Sequence, residues 1–231
     1  MKQPQQIDNE LKENGYTIVR DVISEDVLTG CRQEIEKIIE ENDFRGGFRR
    51  ATELSDILKT IAECKEIESL KKRLGYPEAF LVRSIVFDKT PNSNWKVAWH
   101  QDTKIPVKSR FDVAGYSGWS IKDGIVHTQP PVSVMESMIT IRLHLDHTPA
   151  EAGALRVVPK SHKQGFIQPE IIKELTKNET TCECRAGDAL IMHPLILHAS
   201  SPAVNPSHRR VLHLEFASTP IESPLEWCTA E

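Results

Sequence analysis

Helical spacing of apolar residues marks the first third of the chain. Ser24 precedes two acidic residues, a pattern typical of a helix start. After it, apolar residues recur every three or four positions at Val27, Leu28, Cys31, Ile35, Ile38 and Ile39. A second helical stretch is predicted from about Thr52 to a stop at Gly75. We therefore expect residues 1–78 to be mainly helical and to pack on something larger.

The pattern changes to short β-like runs from Phe80 onward. The runs, separated by Pro, Gly, Asn and Ser, are FLVRSIVFD, KVAWHQD, SMITIRLHLD, GALRVVP, DALIMHPLILHA and RRVLHLEFA. This spacing predicts an antiparallel sandwich or barrel over residues 79–220. With the helical part it is expected to form a single domain across residues 1–231.

One of these runs, residues 137–146, alternates cleanly between apolar and polar positions. Its apolar face carries Ile139, Ile141, Leu143 and Leu145, and its polar face carries Thr140, Arg142, His144 and Asp146. The polar face must point either to water or to a functional cavity.

Two stretches interrupt the β pattern. Residues 103–137 contain several glycines and prolines, and a connection of this length is usually a lid or a binding loop. Residues 168–178 predict a short helix, because Pro169 suits its first position.

Composition and charge exclude several classes of protein. The chain has 39% hydrophobic and 27% charged residues and a net charge of −4, so it is typical of a globular protein. Without a long basic run, it is not expected to bind nucleic acid. It has no apolar stretch suited to a signal peptide or membrane span, so we expect a cytoplasmic protein. Its five cysteines match no zinc or redox spacing, and the sequence defines no oligomeric state.

The candidate chemistry lies in a short histidine and aspartate motif. His100 and Asp102 are two residues apart, so on a strand both side chains point to the same face and can share one metal. His198, near the end of a late apolar run, is the candidate third ligand. Two histidines and one carboxylate leave coordination positions open, as oxygen chemistry with a chelating co-substrate requires.

A second pair with the same spacing, His144 and Asp146, competes for this role, and the motif alone does not choose between them. Arg209 favours His100, because it follows His198 by eleven residues across a turn that contains proline. The next strand would bring its guanidinium beside the site, where it can bind a carboxylate in bidentate geometry.

The motifs together resemble the phytanoyl-CoA dioxygenase family of Fe(II)- and 2-oxoglutarate-dependent oxygenases. The matching pieces are Trp99-His100-Gln101-Asp102, the block GALRVVPKSH at 153–162, Ala186-Gly187-Asp188, and His198-x-Ser200 followed by Arg209. In this family the metal motif precedes the GALRVVPKSH-like block by a long segment. That order selects His100 and Asp102, since His144 lies immediately before the block.

The resemblance implies a fold that is mainly β with packed helices, a double-stranded β-helix, also called a jelly roll or cupin-like barrel. It further implies Fe(II), 2-oxoglutarate and O2 as cofactors and co-substrates, with Arg209 and Ser200 on the distal carboxylate of 2-oxoglutarate. Halogenases of this fold have a small residue in place of the aspartate. Because Asp102 is present, we expect hydroxylation or a related oxidation and not halogenation.

The substrate is expected to be a small molecule of unidentified class. Candidate pocket residues are Trp119, His127, Thr140, Arg142 and His144. The cations of residues 103–137 would suit an anionic group, although a solvated charged loop is an equal alternative, and Arg142 could instead pair with Asp146. A different hypothesis is a non-catalytic cupin-like metal-binding protein, but a structural site would not need the carboxylate clamp of Arg209 and Ser200.

Overall fold

The computed structural model describes residues 4–229 as helices packed on antiparallel sheets. The helices are α1 (Pro4–Asn14), α2 (Glu25–Asn42), α3 (Ala51–Leu54), α4 (Asp56–Ala62), α5 (Lys65–Arg73), α6 (Val132–Glu136) and α7 (Pro169–Leu175). The strands are β1 (Tyr16–Val19), β2 (Gly47–Arg49), β3 (Phe80–Lys89), β4 (Val97–His100), β5 (Ile105–Val107), β6 (Ser117–Lys122), β7 (Ile125–Gln129), β8 (Met138–His144), β9 (Leu155–Val157), β10 (Thr180–Cys182), β11 (Ala189–Met192), β12 (His198–Ser200) and β13 (Arg209–Ala217).

The helical periodicity of the first third is largely confirmed. Helix α2 begins directly after Ser24, and its buried face is formed by Leu28, Cys31, Ile35 and Ile38. The second stretch is helical but divides into three, because Ser55 has an extended backbone and its hydroxyl accepts a bond from the Leu58 amide, which starts α4 anew. Within residues 4–229, no helix combines the length and apolar character needed to cross a membrane.

Two sheets form the barrel. The major sheet has the order β1-β11-β8-β13-β3-β2, and the minor sheet has the order β10-β9-β12-β4. From β3 to β13 the chain moves repeatedly between them, as in a double-stranded β-helix. Strands β1 and β2 lie at the two edges of the major sheet, although the sequence analysis placed them in a mainly helical region. They are only four and three residues long, too short for a strand periodicity to show.

The two faces of the major sheet have different partners. Ile139, Ile141 and Leu143 of β8 pack in one apolar cluster with the helices, including Leu28 and Ile35 of α2. On the other face, side chains from β11 and β1 pack against β9 and β10 in a separate cluster. The polar face of β8 therefore points into the barrel and not to water, and the predicted fold class is confirmed.

Residues 103–137 do not form the long loop that the sequence suggested. They contain a three-stranded antiparallel sheet in the order β5-β7-β6, followed by α6. The prediction was wrong because β6 is largely exposed and β5 has only three residues. Neither strand has a long apolar and polar alternation, which is the signal that reveals a strand in a sequence.

Gly47 of β2 lies where the edge of the major sheet is too closely packed to accommodate a side chain. Its φ is +117°, and an added Cβ would overlap the carbonyl oxygen of Val86. Gly75, with φ +84°, has no atom within 4 Å of an added Cβ. We expect Gly75→Ala to lose about 1 kcal/mol of unfolding free energy, and Gly47→Ala to lose at least about 3 kcal/mol. The measurement is urea denaturation. Equal losses of unfolding free energy in the two variants would show that backbone strain alone accounts for both, with no contribution from the contact with Val86.

Candidate metal centre

The pairing of β4 with β12 brings the candidate ligands together. His100 is the direct register partner of His198, and a β-bulge follows before Ser200. Asp102 lies just past the end of β4, where its amide donates to the carbonyl of Pro194 at 3.0 Å. The side chain of Gln101 binds the Gly165 and Leu195 carbonyls, which fixes the backbone between the two ligands.

The ligand atoms of the three residues converge on one point. Nε2 of His100 is 3.8 Å from Oδ1 of Asp102, and Nε2 of His198 is 3.7 Å from Oδ2 of the same carboxylate. The two imidazole centroids are 4.2 Å apart. Two ligand atoms that each bind one small divalent ion at about 2.0–2.2 Å can be at most about 4.4 Å apart, so these separations are within reach of a single ion. The geometry thus fits a mononuclear metal.

Backbone carbonyls fix the tautomers of both histidines. Nδ1 of His100 bonds the Ala98 carbonyl at 2.9 Å, and Nδ1 of His198 bonds the Ile196 carbonyl at 2.9 Å. Because a carbonyl oxygen can only accept, each Nδ1 carries the proton and each Nε2 lone pair is free. The side chain of His100 is 39% exposed and that of His198 is 4% exposed, so the site opens to solvent on the His100 side.

The electrostatics of the site favour a charged aspartate and a neutral deep histidine. Burial would raise the pKa of Asp102, but His198, His213 and Arg83 outweigh it and lower the pKa. Burial lowers the pKa of His198 to about 4. At neutral pH Asp102 thus offers a negative oxygen ligand and His198 a neutral nitrogen ligand, the protonation states that a divalent cation needs.

The competing pair, His144 and Asp146, does not converge. His144 points into the barrel, where its Nδ1 is 3.1 Å from the hydroxyl of Thr148. Strand β8 ends at His144, and Asp146 instead binds Arg210 at 2.9 Å and Arg32 at 3.2 Å. Since two guanidiniums already occupy this carboxylate, the pair cannot share an ion, and the suggested pairing of Arg142 with Asp146 is also wrong.

A second group of possible ligands shares Asp102 with His213 and Glu215. Nδ1 of His213 lies 2.6 Å from a guanidinium nitrogen of Arg142, which can only donate, so Nε2 carries the proton and donates to Glu215 at 2.9 Å. Glu215 also accepts from Arg83 at 2.5 Å. The nitrogens of His213 and the carboxylate of Glu215 are therefore already hydrogen-bonded to protein groups. The positive charges of Arg142 and Arg83 also disfavour a metal cation at this second group.

A cluster of buried cations lies deeper in the barrel. Arg209 of β13 is the register partner of Lys89 of β3, and both side chains are buried. Lys89 donates to the Ser200 hydroxyl at 3.1 Å, and Arg209 donates to the Gly153 carbonyl at 3.0 Å. Neither cation forms an ion pair with an acid among residues 4–229. Burial, with Arg209 nearby, lowers the pKa of Lys89 to about 8, and burial lowers that of Arg209 to about 10.

Several buried polar atoms on the barrel interior have no hydrogen-bond partner. They are Nε of Arg209, Nε of Arg142, Nε2 of His144 and Oγ1 of Thr140. All four belong to inward positions of β8 and β13. Unpaired buried polar groups are costly, so an interior of this kind is suited to a polar, anionic molecule.

Comparison with known proteins identifies the family. The model described as Phytanoyl-CoA dioxygenase (PhyH) matches residues 11–211. The chain belongs to the phytanoyl-CoA dioxygenase family. The resemblance noted in the sequence motifs is thereby confirmed. A curated relative from Oryza sativa subsp. japonica, Phytanoyl-CoA dioxygenase 1, is 23% identical over 179 residues, covering 72% of this chain and 55% of that protein. This chain therefore spans little more than half of that relative.

Solved structures share the fold of this family member at low sequence identity. The epimerase SnoN from nogalamycin biosynthesis has a TM-score of 0.73 and 16% identity, covering 94% of this chain and 81% of SnoN. EctD from S. alaskensis has a TM-score of 0.74 and 16% identity over 96% and 80% of the two chains. HygX from Streptomyces hygroscopicus has 0.66 and 13% over 93% and 87%. At these identities the likeness shows the fold.

The predicted pocket residues of this phytanoyl-CoA dioxygenase family chain separate into two groups. Thr140, Arg142 and His144 line the barrel interior. His127 is buried on β7, where its Nδ1 bonds the Ile125 carbonyl at 3.0 Å. Trp119 instead packs in the apolar cluster of the three-stranded sheet, with Arg110 on its ring at 5.5 Å. Its contacts are those of a packing residue.

Sequence reasoning missed Lys89, Arg83, His213 and Glu215 as residues of the barrel interior. They alternate along β3 and β13 with residues that face the helices, so alternation could have placed each strand's set on one face. It could not have shown that these faces meet, because the register of β3 against β13 decides which cation lies beside which carboxylate.

His193 is a buried histidine outside the candidate ligand set, and it can show how burial of an imidazole affects stability as the pH changes. Its ring stacks on His162 at 4.9 Å, and burial lowers its pKa to about 4. The free form has a pKa of about 6.5, so the unfolded chain takes up the proton first as the pH falls. The stability of the folded protein is therefore undiminished above pH about 6.5 and decreases towards pH about 4.

The unfolding free energy of the wild type should decrease between pH 7 and pH 5. In His193→Gln we expect this decrease to be smaller by roughly 1–2 kcal/mol. The measurement is urea denaturation of the metal-free protein. His147→Gln is the control, because it makes the same substitution at an exposed histidine. An unaltered pH dependence in His193→Gln would contradict the assignment.

Proposed function

We propose that this chain is an Fe(II)- and 2-oxoglutarate-dependent oxygenase that hydroxylates a small molecule. The observation that carries the proposal is the position of the three candidate ligands beside an interior that holds buried cations without acidic partners. Two neighbouring structures support it. SnoN has been solved with Fe3+, alpha ketoglutarate and nogalamycin RO, and HygX with nickel and 2-oxoglutarate.

In this proposal the chain holds each partner with a separate set of residues. His100 and His198 offer free Nε2 lone pairs, and Asp102 offers a charged oxygen, so these three residues would hold the metal and leave other positions for its co-substrates. Arg209, Ser200 and Lys89 bind the distal carboxylate of 2-oxoglutarate through charge-assisted hydrogen bonds. When bound, iron, 2-oxoglutarate and O2 supply the oxidation of a C–H bond, with release of succinate and CO2.

In this proposal the primary substrate binds on the side of Asp102 that faces Arg83 and the three-stranded sheet. Arg83 donates to the carbonyl of Lys104 at 3.2 Å, and Lys104 donates to the hydroxyl of Ser120 at 3.1 Å. His127, with its Nδ1 on a carbonyl, presents Nε2 as an acceptor. These residues of β5 to β7 and their flanks give the proposed substrate a polar wall. They replace Trp119 as the candidates for substrate contact.

The metal and the co-substrate can be tested together without a known substrate. We expect anaerobic titration with Fe(II) and 2-oxoglutarate to give a weak visible charge-transfer band. Asp102→Ala removes a charged ligand and should abolish the band and weaken Fe(II) binding at least tenfold, about 1.4 kcal/mol or more. Asp146→Ala is the matched control, because this carboxylate belongs to the competing motif and pairs with Arg210.

Two results would overturn this assignment. A band that persists in Asp102→Ala and disappears in Asp146→Ala would show that the wrong motif was chosen. A folded wild-type protein that binds Fe(II) but gives no band with 2-oxoglutarate would favour the alternative, a non-catalytic cupin-like metal-binding protein.

The reaction type can be determined only by identifying a product. We expect succinate formation with one member of a library of small carboxylates, amines and acyl thioesters, and a product heavier by one oxygen atom that derives from O2. SnoN is named an epimerase and SnoK a carbocyclase, so this fold also supports other outcomes. A product of unchanged mass, or one that has lost two hydrogen atoms, would replace hydroxylation with epimerisation or ring formation.

A further inference from the structure

Arg142 is a buried arginine whose charge has no acidic partner among residues 4–229. It lies in the centre of β8 on the inward face and is 5% exposed. One guanidinium nitrogen donates to Nδ1 of His213 at 2.6 Å, and the guanidinium lies 5.3 Å from the ring centroid of Phe87. Its Nε is buried and makes no hydrogen bond. A neutral histidine and an aromatic ring are thus its partners.

Two other arginines of the barrel have acidic partners. Arg83 pairs with Glu215 at 2.5 Å, and Arg210 pairs with Asp146 at 2.9 Å. Removing an arginine from water costs several kcal/mol by order of magnitude unless an anion compensates the charge. Arg142 differs from both in lacking that anion. Its environment is therefore complete only when a negative group occupies the barrel.

The position of Arg142 lies between the two ends of the proposed co-substrate site. On β13, His213 faces Arg142, and Arg209 lies four residues away on the same inward face. The charge of Arg142 contributes to the lowered pKa of both Lys89 and Arg209, so it is close to the cation cluster. Asp102 is the acid with the largest effect on Arg142 itself, so the guanidinium is also close to the candidate ligands.

We propose that Arg142 binds the 2-oxo-acid carboxylate of 2-oxoglutarate, the carboxylate at the metal end, while Arg209, Ser200 and Lys89 bind the distal one. The inference rests on the proposed function and reassigns Arg142 from the primary substrate to the co-substrate. The dianion has two carboxylates, and the interior has two cationic positions along its length. The bond to His213 holds the guanidinium plane in place, because the proton arrangement from Arg142 through His213 to Glu215 is fixed.

The experiment compares two ligands that differ at one end only. 2-Oxopentanoate has the 2-oxo-acid group of 2-oxoglutarate and a methyl group in place of the distal carboxylate. Anaerobic calorimetry with the Fe(II)-loaded protein measures Kd for each, with no turnover. We expect Arg142→Gln to weaken both ligands at least tenfold and to keep the wild-type ratio of the two Kd values. Arg209→Gln should instead weaken 2-oxoglutarate alone and reduce the ratio towards one.

Arg210→Gln is the matched control. It removes a guanidinium from the residue next to Arg209, but this side chain faces Asp146, outside the proposed site. Both Kd values should stay within twofold of the wild type even if the melting temperature falls. Circular dichroism and Fe(II) affinity report folding for each variant. Arg142→Lys, which keeps the charge and loses the planar fork, should give a smaller loss for both ligands, so a folding failure of Arg142→Gln still leaves a test.

Three outcomes contradict the inference in different ways. Unchanged Kd values in both folded Arg142 variants would exclude contact with the co-substrate. A loss confined to 2-oxoglutarate would place Arg142 with Arg209 at the distal carboxylate. If the wild-type protein binds Fe(II) but neither 2-oxo acid, the proposed function itself is wrong and the inference falls with it, a result distinguishable from the first two because Arg209→Gln then also has no effect.

Discussion

The register between β4 and β12 is the constraint on which the candidate site depends. It places His100 opposite His198, so two ligands from distant parts of the sequence meet across one pair of strands. A shift of one residue would turn either side chain to the other face of its strand. Gln101 secures this register, since its side chain bonds the backbone at Gly165, Ile167 and Leu195.

Residues of the other motifs hold the backbone near the site and at the edge of the major sheet. Ser161 of the GALRVVPKSH block accepts a bond from the Leu197 amide at 2.8 Å, directly before His198. Gly153 of the same block offers its carbonyl to Arg209, and its backbone passes so near Ser201 that a Cβ would not fit. In the Ala186-Gly187-Asp188 turn, Asp188 binds the amides of Asp21 and Arg185. Ser161 and Gly153 therefore hold the backbone before His198 and the side chain of Arg209.

Charged residues of the barrel interior are paired with acids near the mouth of the barrel and lack acidic partners deeper inside. Near Asp102, Arg83 and Glu215 neutralise each other, and His213 joins them with fixed protons. Deeper, Lys89 is buried beside the Ser200 hydroxyl and the Trp95 ring, and Arg209 beside the Gly153 carbonyl. Buried cations without acidic partners would destabilise an ordinary protein core. They are explained if these residues bind a dianionic ligand. The stability given up at these positions preorganises the site before the ligand arrives.

The sequence by itself determined the family, the fold class, the helix at Ser24, the strand faces of 138–144, and the candidates His100, Asp102 and His198, because period, order and motif spacing can be read along the chain. Tertiary structure decided the rest. It separated His144 from Asp146, turned residues 103–137 into a sheet, and joined Lys89 to Ser200 and Arg142 to His213. These contacts depend on strand register and on which charges are buried together, and both arise from pairing between residues far apart in the chain.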